Sequence, residues 1–155
     1  MNITTNSQIR FFESPDIPQV LLLMKELALF EGYLADFAIT EQYLAEQGFG
    51  SAPLFQVLIA ELDQKIVGYG AFYTVPFTFK ARPKIVLKEL YFSENARESG
   101  LGKALFTRLR AEAIALNACA IEWLVLKDNH PAQAFYAKQS AQLDSQWQNW
   151  TLALP

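Results

Sequence analysis

Apolar and polar positions along the chain change period several times, and each change predicts an element. Ile9 to Glu13 alternate weakly and predict a first strand; Ser14-Pro15-Asp16 then stops it and caps a helix running to about Phe30, which Gly32 ends. Thr40 caps a second, short helix (Glu41, Gln42, Tyr43, Leu44) that stops at Gly48-Phe49-Gly50. Leu54 to Leu62 and Lys65 to Val75 are rich in branched and aromatic residues and are joined by Asp63-Gln64, which predicts a hairpin; Ile85 to Phe92 is a third run of the same kind. From 101 to 116 the period becomes helical, with Leu101, Leu105, Leu109, Ala113 and Leu116 on one stripe. Ile121 to Leu126 is almost wholly apolar and predicts a strand buried within a sheet, reached through a right-handed parallel crossover. A short helix (Pro131 to Lys138) and a late strand around Trp150 to Leu154 complete the expectation.

No repeat, low-complexity tract or linker interrupts this order, so the 155 residues are expected to form one domain, 1–155. At that length about 68–70% of the chain's surface is buried on folding, enough for a core without disulfides or structural metal. A single cysteine, Cys119, and a single histidine, His130, argue against disulfide frameworks and multi-ligand metal sites, and no metal is expected. Cys119 reads as a small core residue and His130, before Pro131, as structural. A formal charge of −3 disfavours a nucleic-acid partner and suits cationic or neutral ones. The apolar run Val20 to Met24 is far short of the ~20 residues that span a bilayer, and the amino terminus lacks a signal pattern, so a cytoplasmic protein is expected.

Chemistry concentrates in Arg97-Glu98-Ser99-Gly100-Leu101-Gly102-Lys103-Ala104, where glycines open a helix whose N–H groups and dipole suit an anion. A Walker loop is excluded by Arg97 in place of its first glycine and by Ala104 after Lys103; a dinucleotide fingerprint is excluded by Leu105. The spacing that fits is Arg-x-x-Gly-x-Gly, in which the chain resembles the GNAT superfamily of N-acetyltransferases. Asn129-x-x-Ala132-x-x-Phe135-Tyr136 matches a second segment of that superfamily, and Lys25-Glu26-Leu27-Ala28-x-Phe30-Glu31, Thr40-Glu41-x-x-Leu44, Gly48-Phe49-Gly50, Ile66-Val67-Gly68 and Trp150 resemble its diamine and polyamine group, which includes spermidine/spermine and thialysine acetyltransferases.

The resemblance implies an α/β GNAT acetyltransferase fold, a mixed, splayed β-sheet flanked by helices on both faces, with CoA where the parallel strands part. It implies acetyl-CoA as co-substrate, a small diamine or polyamine as acceptor, direct attack of the amine on the thioester, and a homodimer. Leu90, Tyr91, Phe92, Arg97, Glu98, Ser99, Gly100, Leu101, Gly102, Lys103, Asn129 and Phe135 would line the cofactor, with a backbone N–H near Tyr91 or Phe92 stabilising the oxyanion and Asn129 either capping the last helix, bonding the pantetheine arm, or both. Tyr136 would act as the general acid, protonating the thiolate. Glu31, at a helix end where its charge is disfavoured, would recognise an ammonium, while Tyr33 and Phe79, with Phe37 and Phe77, are rings suited either to an alkyl-ammonium channel or to packing. Asp36 and Glu41 are lesser candidates for an acidic mouth.

Two positions depart from that group. Where its members often carry two adjacent acids, this chain has Lys88-Glu89; neighbours on a regular strand face opposite sides, so Glu89 is expected not to stand in for a carboxylate at 88, and is read as base, substrate contact or cross-strand ion-pair partner. Ser140 occupies a glycine position after the last helix, where a left-handed turn is expected. Acetylation of another amine (a lysine analogue, an aminoglycoside or a peptide) and a catalytically idle CoA-binding module are the alternatives.

Overall fold

The computed structural model describes residues 6–155, which form two compact units, one ending at Leu124 and the other Val125–Pro155. No shift in composition marks that division in the sequence.

In the first unit, five strands lie side by side in chain order: β1 (Ser7–Phe11), β2 (Gln56–Leu62), β3 (Lys65–Val75), β4 (Lys84–Phe92) and β5 (Ile121–Glu122). The first three pairings are antiparallel and β4–β5 is parallel, so the sheet is mixed. Asp63 (φ 48°) and Gln64 (φ 66°) both adopt left-handed backbone in the two-residue β2–β3 turn, the twist a tight hairpin demands. Helix α1 (Ile17–Glu31) buries Val20, Met24 and Leu27 with Val57, Ile59 and Tyr69 on one face of the sheet. On the other face α3 (Leu101–Ala115) buries Leu105, Phe106 and Leu109, and a Cβ added to Gly70 of β3 would lie 2.9 Å from Leu105 Cδ2. The expected stripe on α3 ends early, because Leu116 is 45% exposed.

Local caps follow the sequence. Gly32 (φ 84°) closes α1, and Thr40 Oγ1 accepts the Tyr43 N–H at 3.1 Å to open α2 (Glu41–Gln47). Ser14–Asp16 form a 3-10 turn rather than a bare stop, and Asp16 is buried there against Arg10, with Nη1–Oδ2 2.7 Å and Nη2–Oδ1 3.0 Å. Cys119 is half-buried rather than part of the core, its N–H donating to the Pro83 carbonyl at 2.8 Å between α3 and β5. Among the described residues no helix is long and apolar enough to cross a membrane.

The strand expected over 121–126 is only two residues long. Its ladder with β4 consists of Ile85↔Ile121 and Val86↔Glu122, and Leu124, two residues on, is 78% exposed. Apolar content signals burial only where a partner surface exists, and here the parallel partner ends just before a bulge in β4.

In the second unit, α4 (His130–Lys138) is capped by Asn129, whose Oδ1 accepts the Ala132 N–H at 3.2 Å. Ser140 takes the expected left-handed conformation (φ 65°), its N–H bonding to the Ala137 carbonyl at 3.1 Å. The strand expected at Trp150 to Leu154 does not form. Trp150, Leu152 and Leu154 keep a two-residue period but are 87%, 86% and 82% exposed, and an extended segment without a partner strand leaves its backbone groups to water.

Candidate active site

Strand β4 carries the irregularity that shapes the site. Its register with β3 runs Ile85↔Thr74, Val86↔Tyr73, Leu87↔Phe72, then resumes at Glu89↔Ala71, Leu90↔Gly70 and Tyr91↔Tyr69, leaving Lys88 as the extra residue of a β-bulge. Leu87 faces the α3 side with Phe72, whereas Glu89 and Tyr91, paired with Ala71 and Tyr69, face the α1 side. Strict alternation would have put Leu87 and Glu89 on one face. The expectation that alternation separates positions 88 and 89 is therefore corrected: the bulge interrupts the alternation and turns Glu89 toward α1.

The bulge also reverses the backbone. Ile85 N–H points to Ala120 on the β5 side, while Ser93 N–H points to Val67 on the β3 side, although both are odd-numbered. Alternating back from Ser93, the N–H groups of Leu90 and Phe92 point away from β3, along the edge where the β4–β5 ladder has ended. Tyr91 turns its N–H toward β3 and its hydroxyl to Glu26 of α1, 3.0 Å away.

Around Glu89 the first unit gathers several ionisable groups. Tyr69, fully buried, donates its hydroxyl to Glu89 Oε2 at 2.9 Å. Burial pushes the Glu89 carboxyl above the ordinary range; the Tyr69 hydrogen bond and the Lys88 charge oppose this, and Glu31 adds to it. Partial burial likewise raises Glu31, opposed by Lys88. Tyr33 is pushed up to about 12 by burial and by the charges of Glu89 and Glu31. Tyr69 is raised much further, by burial first and then by Glu89. Glu31, Tyr33 and Glu89, named separately in the sequence, thus lie within electrostatic reach of one another, with Lys88 beside them. Phe79 does not join them as a buried ring: it is 96% exposed in the β3–β4 loop, with Phe77 89% exposed. Asp36 lies in a 3-10 turn and Glu41 in the first turn of α2.

The glycine-rich segment forms the turn into α3. A 3-10 turn (Glu94–Ala96) precedes it, Glu98 (φ 63°) is left-handed, and Gly100 (φ 85°) occupies the cap with open space where a Cβ would stand. Ser99 Oγ donates to the Ala96 carbonyl at 2.5 Å and accepts the Leu101 N–H at 3.4 Å; no side chain caps α3 from Gly100, so the N–H groups of Gly102 and Lys103 lack acceptors within the helix. Arg97 donates from Nε to the Phe92 carbonyl at 3.1 Å, its guanidinium 5.6 Å from the Tyr91 ring centre and 5.9 Å from that of Phe30, which ties the loop to β4 and α1. An uncapped helix N-terminus beside an open strand edge fits the phosphates and acyl arm of a CoA thioester. In the second unit, Asn129 caps α4, and the Phe135 and Tyr136 rings meet edge to face with centres 5.5 Å apart.

Residues 21–140 match the model of the acetyltransferase (GNAT) family. The chain belongs to that family. It is 30% identical to the human spermidine/spermine N(1)-acetyltransferase-like protein 1 over 154 residues, 94% of this chain, and spans only 22% of that protein's length. It is 28% identical to the thialysine N-epsilon-acetyltransferase of Bos taurus, covering 92% of this chain and 88% of that one. In structure it resembles an aminoglycoside acetyltransferase from an uncultured soil metagenomic sample, solved with sisomicin, with a TM-score of 0.80, 20% identity, and coverage of 96% and 97% of the two chains. The chain therefore has the GNAT fold and is an N-acetyltransferase of GNAT type, a family that uses acetyl-CoA as co-substrate.

Two contributors escaped the sequence reading. Tyr69 gives no signal in the sequence beyond an aromatic in a strand, because its tie to Glu89 depends on the bulge, and Glu26 carries none apart from the resemblance of its segment to the polyamine group.

Proposed function

We propose that the chain, as one domain over 1–155 and as a cytoplasmic homodimer, transfers the acetyl group of acetyl-CoA to a primary amine of a small diamine or polyamine. The observation that carries this reading is the grouping of Glu31 and Glu89 with Tyr33 and Tyr69 on the α1 side of a bulged β4. Two carboxylates within electrostatic reach suit a substrate with two ammonium groups, one reacting and one held. The names of the spermidine/spermine and thialysine relatives support an amine of this size.

Bound acetyl-CoA supplies the activated acyl carbon. An alkyl ammonium with a pKa near ~10.4 must lose a proton before its nitrogen attacks. Glu89 takes that proton, and its raised pKa makes it a stronger base than an ordinary carboxylate. Glu31 and Tyr33 hold the second ammonium. The N–H groups of Leu90 and Phe92 donate to the acyl oxygen as negative charge grows on it. The nitrogen–carbon bond forms, the carbon–sulfur bond breaks, Tyr136 gives its proton to the departing sulfur, and the second proton that the nitrogen sheds on becoming an amide restores the Tyr136 hydroxyl. The N-terminus of α3, with Gly100, Leu101, Gly102 and Lys103 and with Arg97, Glu98 and Ser99 shaping the turn, receives the pyrophosphate, while Asn129 and Phe135 attend the pantetheine arm.

Acetylation of a lysine analogue is the second reading. It is favoured by Lys88, whose exposed ammonium beside two acids offers a partner to a substrate carboxylate. Glu31→Gln separates the two. On the diamine reading it raises KM for diamines about tenfold and leaves a monoamine of equal length almost unaffected; equal effects on both amines exclude a role for Glu31 in holding the second charge.

A further inference from the structure

We propose that Tyr69 is a positioning residue for the transfer: its buried hydroxyl fixes one oxygen of the Glu89 carboxylate and leaves the other to take the proton from the amine. The proposal rests on the reading of Glu89 as base.

The geometry is specific. Tyr69 is fully buried on β3, two residues from Ala71 and so on the same face as the Ala71↔Glu89 pair, and its hydroxyl lies 2.9 Å from Glu89 Oε2. Only the bulge at Lys88 brings Glu89 to that face. An ionised carboxylate accepts hydrogen bonds and donates none, so Tyr69 must be the donor and must keep its proton. It does: burial and the nearby acids hold its hydroxyl far above the ordinary tyrosine range. In the transfer, the ammonium N–H bond breaks with its electron pair left on nitrogen, the proton goes to Glu89, and the Tyr69 O–H bond is unchanged.

The groups facing Glu89 are Tyr69 from β3, Glu31 and Tyr33 from the end of α1 and the turn after it, and Lys88 from β4 itself. Removing the Tyr69 hydroxyl leaves burial and Glu31 opposed by Lys88 alone, so the carboxyl pKa must rise. A hydrogen bond to a charged acceptor corresponds to a shift of about one pH unit.

The test compares wild type, Tyr69→Phe, Glu89→Gln and the double variant. Carbon-13 NMR titration of the Glu89 carboxyl, identified by its loss in Glu89→Gln, is read beside the pH profile of kcat/KM with the best amine substrate. Tyr69→Phe is expected to move the carboxyl titration and the acid limb of the profile upward together by about one unit. In the Glu89→Gln background it is expected to change kcat/KM less than twofold. In wild-type protein the Tyr69 ring signal must respond as Glu89 titrates, a check that needs no variant. An unmoved carboxyl titration and acid limb in Tyr69→Phe overturn the proposal, as does an equal loss of kcat/KM in both backgrounds, which would mark Tyr69 as packing only. Wild-type turnover by Glu89→Gln overturns it by removing the base itself, and is told apart because Tyr69→Phe then still moves the carboxyl titration.

Discussion

Gly68 faces Phe92 across the β3–β4 ladder, and a Cβ built on it would lie 2.3 Å from Phe92 Cδ1, 2.4 Å from Cε1 and 2.9 Å from Cγ. Carbon atoms pack at about 3.5–4.0 Å, so Gly68→Ala forces the ring aside by more than about 1 Å. Overpacking of this kind costs about 1–3 kcal/mol. Replacing glycine also removes freedom from the unfolded chain, which returns about 0.4–1 kcal/mol. The net expectation is a loss of ~1–2 kcal/mol, or about 3–6 °C in midpoint at this chain length. Thermal unfolding followed by circular dichroism reads it in wild type, Gly68→Ala, Phe92→Leu and the double variant. Because the ring is the obstacle, Gly68→Ala in the Phe92→Leu background should cost less than about 0.5 kcal/mol. Stabilisation of the wild-type chain by Gly68→Ala, or an equal loss in both backgrounds, would refute the packing argument and with it the register that turns the Phe92 N–H to the open edge.

Breaking the Arg10–Asp16 pair by Asp16→Ala should cost about 3 kcal/mol, the lower end for buried pairs, since Arg10 keeps Glu61 at 2.9 Å. The Arg10 guanidinium holds the Asp16 carboxyl below the usual range, so this contribution is present above the ordinary carboxylate pKa of about 3.9 and lost as pH falls through the lowered value; urea midpoints of wild type and variant should converge only below about pH 4. Ser140→Gly should raise stability by about 0.5–1 kcal/mol by relieving left-handed backbone, and Ser140→Val should lower it by more than that, both read by thermal unfolding. Tyr136→Phe should lower kcat about 100-fold with acetyl-CoA affinity nearly intact, whereas Gly102→Asp should weaken acetyl-CoA binding at least about tenfold in calorimetry, because it sets a carboxylate against phosphate at the start of α3.

Features decided within a few residues were legible in the sequence. Gly32 and Thr40 bound their helices, Asp63-Gln64 turns the hairpin, Gly100 opens α3, Asn129 caps α4, and Ser140 takes the left-handed turn expected of it. Features set by pairing were not. The bulge at Lys88 has no local signature, because it exists only as a mismatch between two strands, and it decides which face Glu89 and Tyr91 occupy. Ile121 to Leu126 reads as a buried strand from its side chains, yet strand length is set by the partner, and β4 supplies two pairs. Trp150 to Leu154 carries the right period and lacks the neighbour. The candidate site was thus legible as a set of residue types and as a loop, while its assembly around Glu89, with Tyr69 behind it, required the register.

The most direct test of the central claim is thiol release from acetyl-CoA by the purified protein with putrescine, 1,3-diaminopropane, spermidine, spermine, lysine, thialysine and an aminoglycoside, compared as kcat/KM at fixed salt. The account predicts turnover with the highest kcat/KM among the diamines and polyamines. Silence with all of those, beside turnover of lysine, thialysine or the aminoglycoside, would contradict the assigned substrate, and silence across the whole panel would contradict the proposed catalysis.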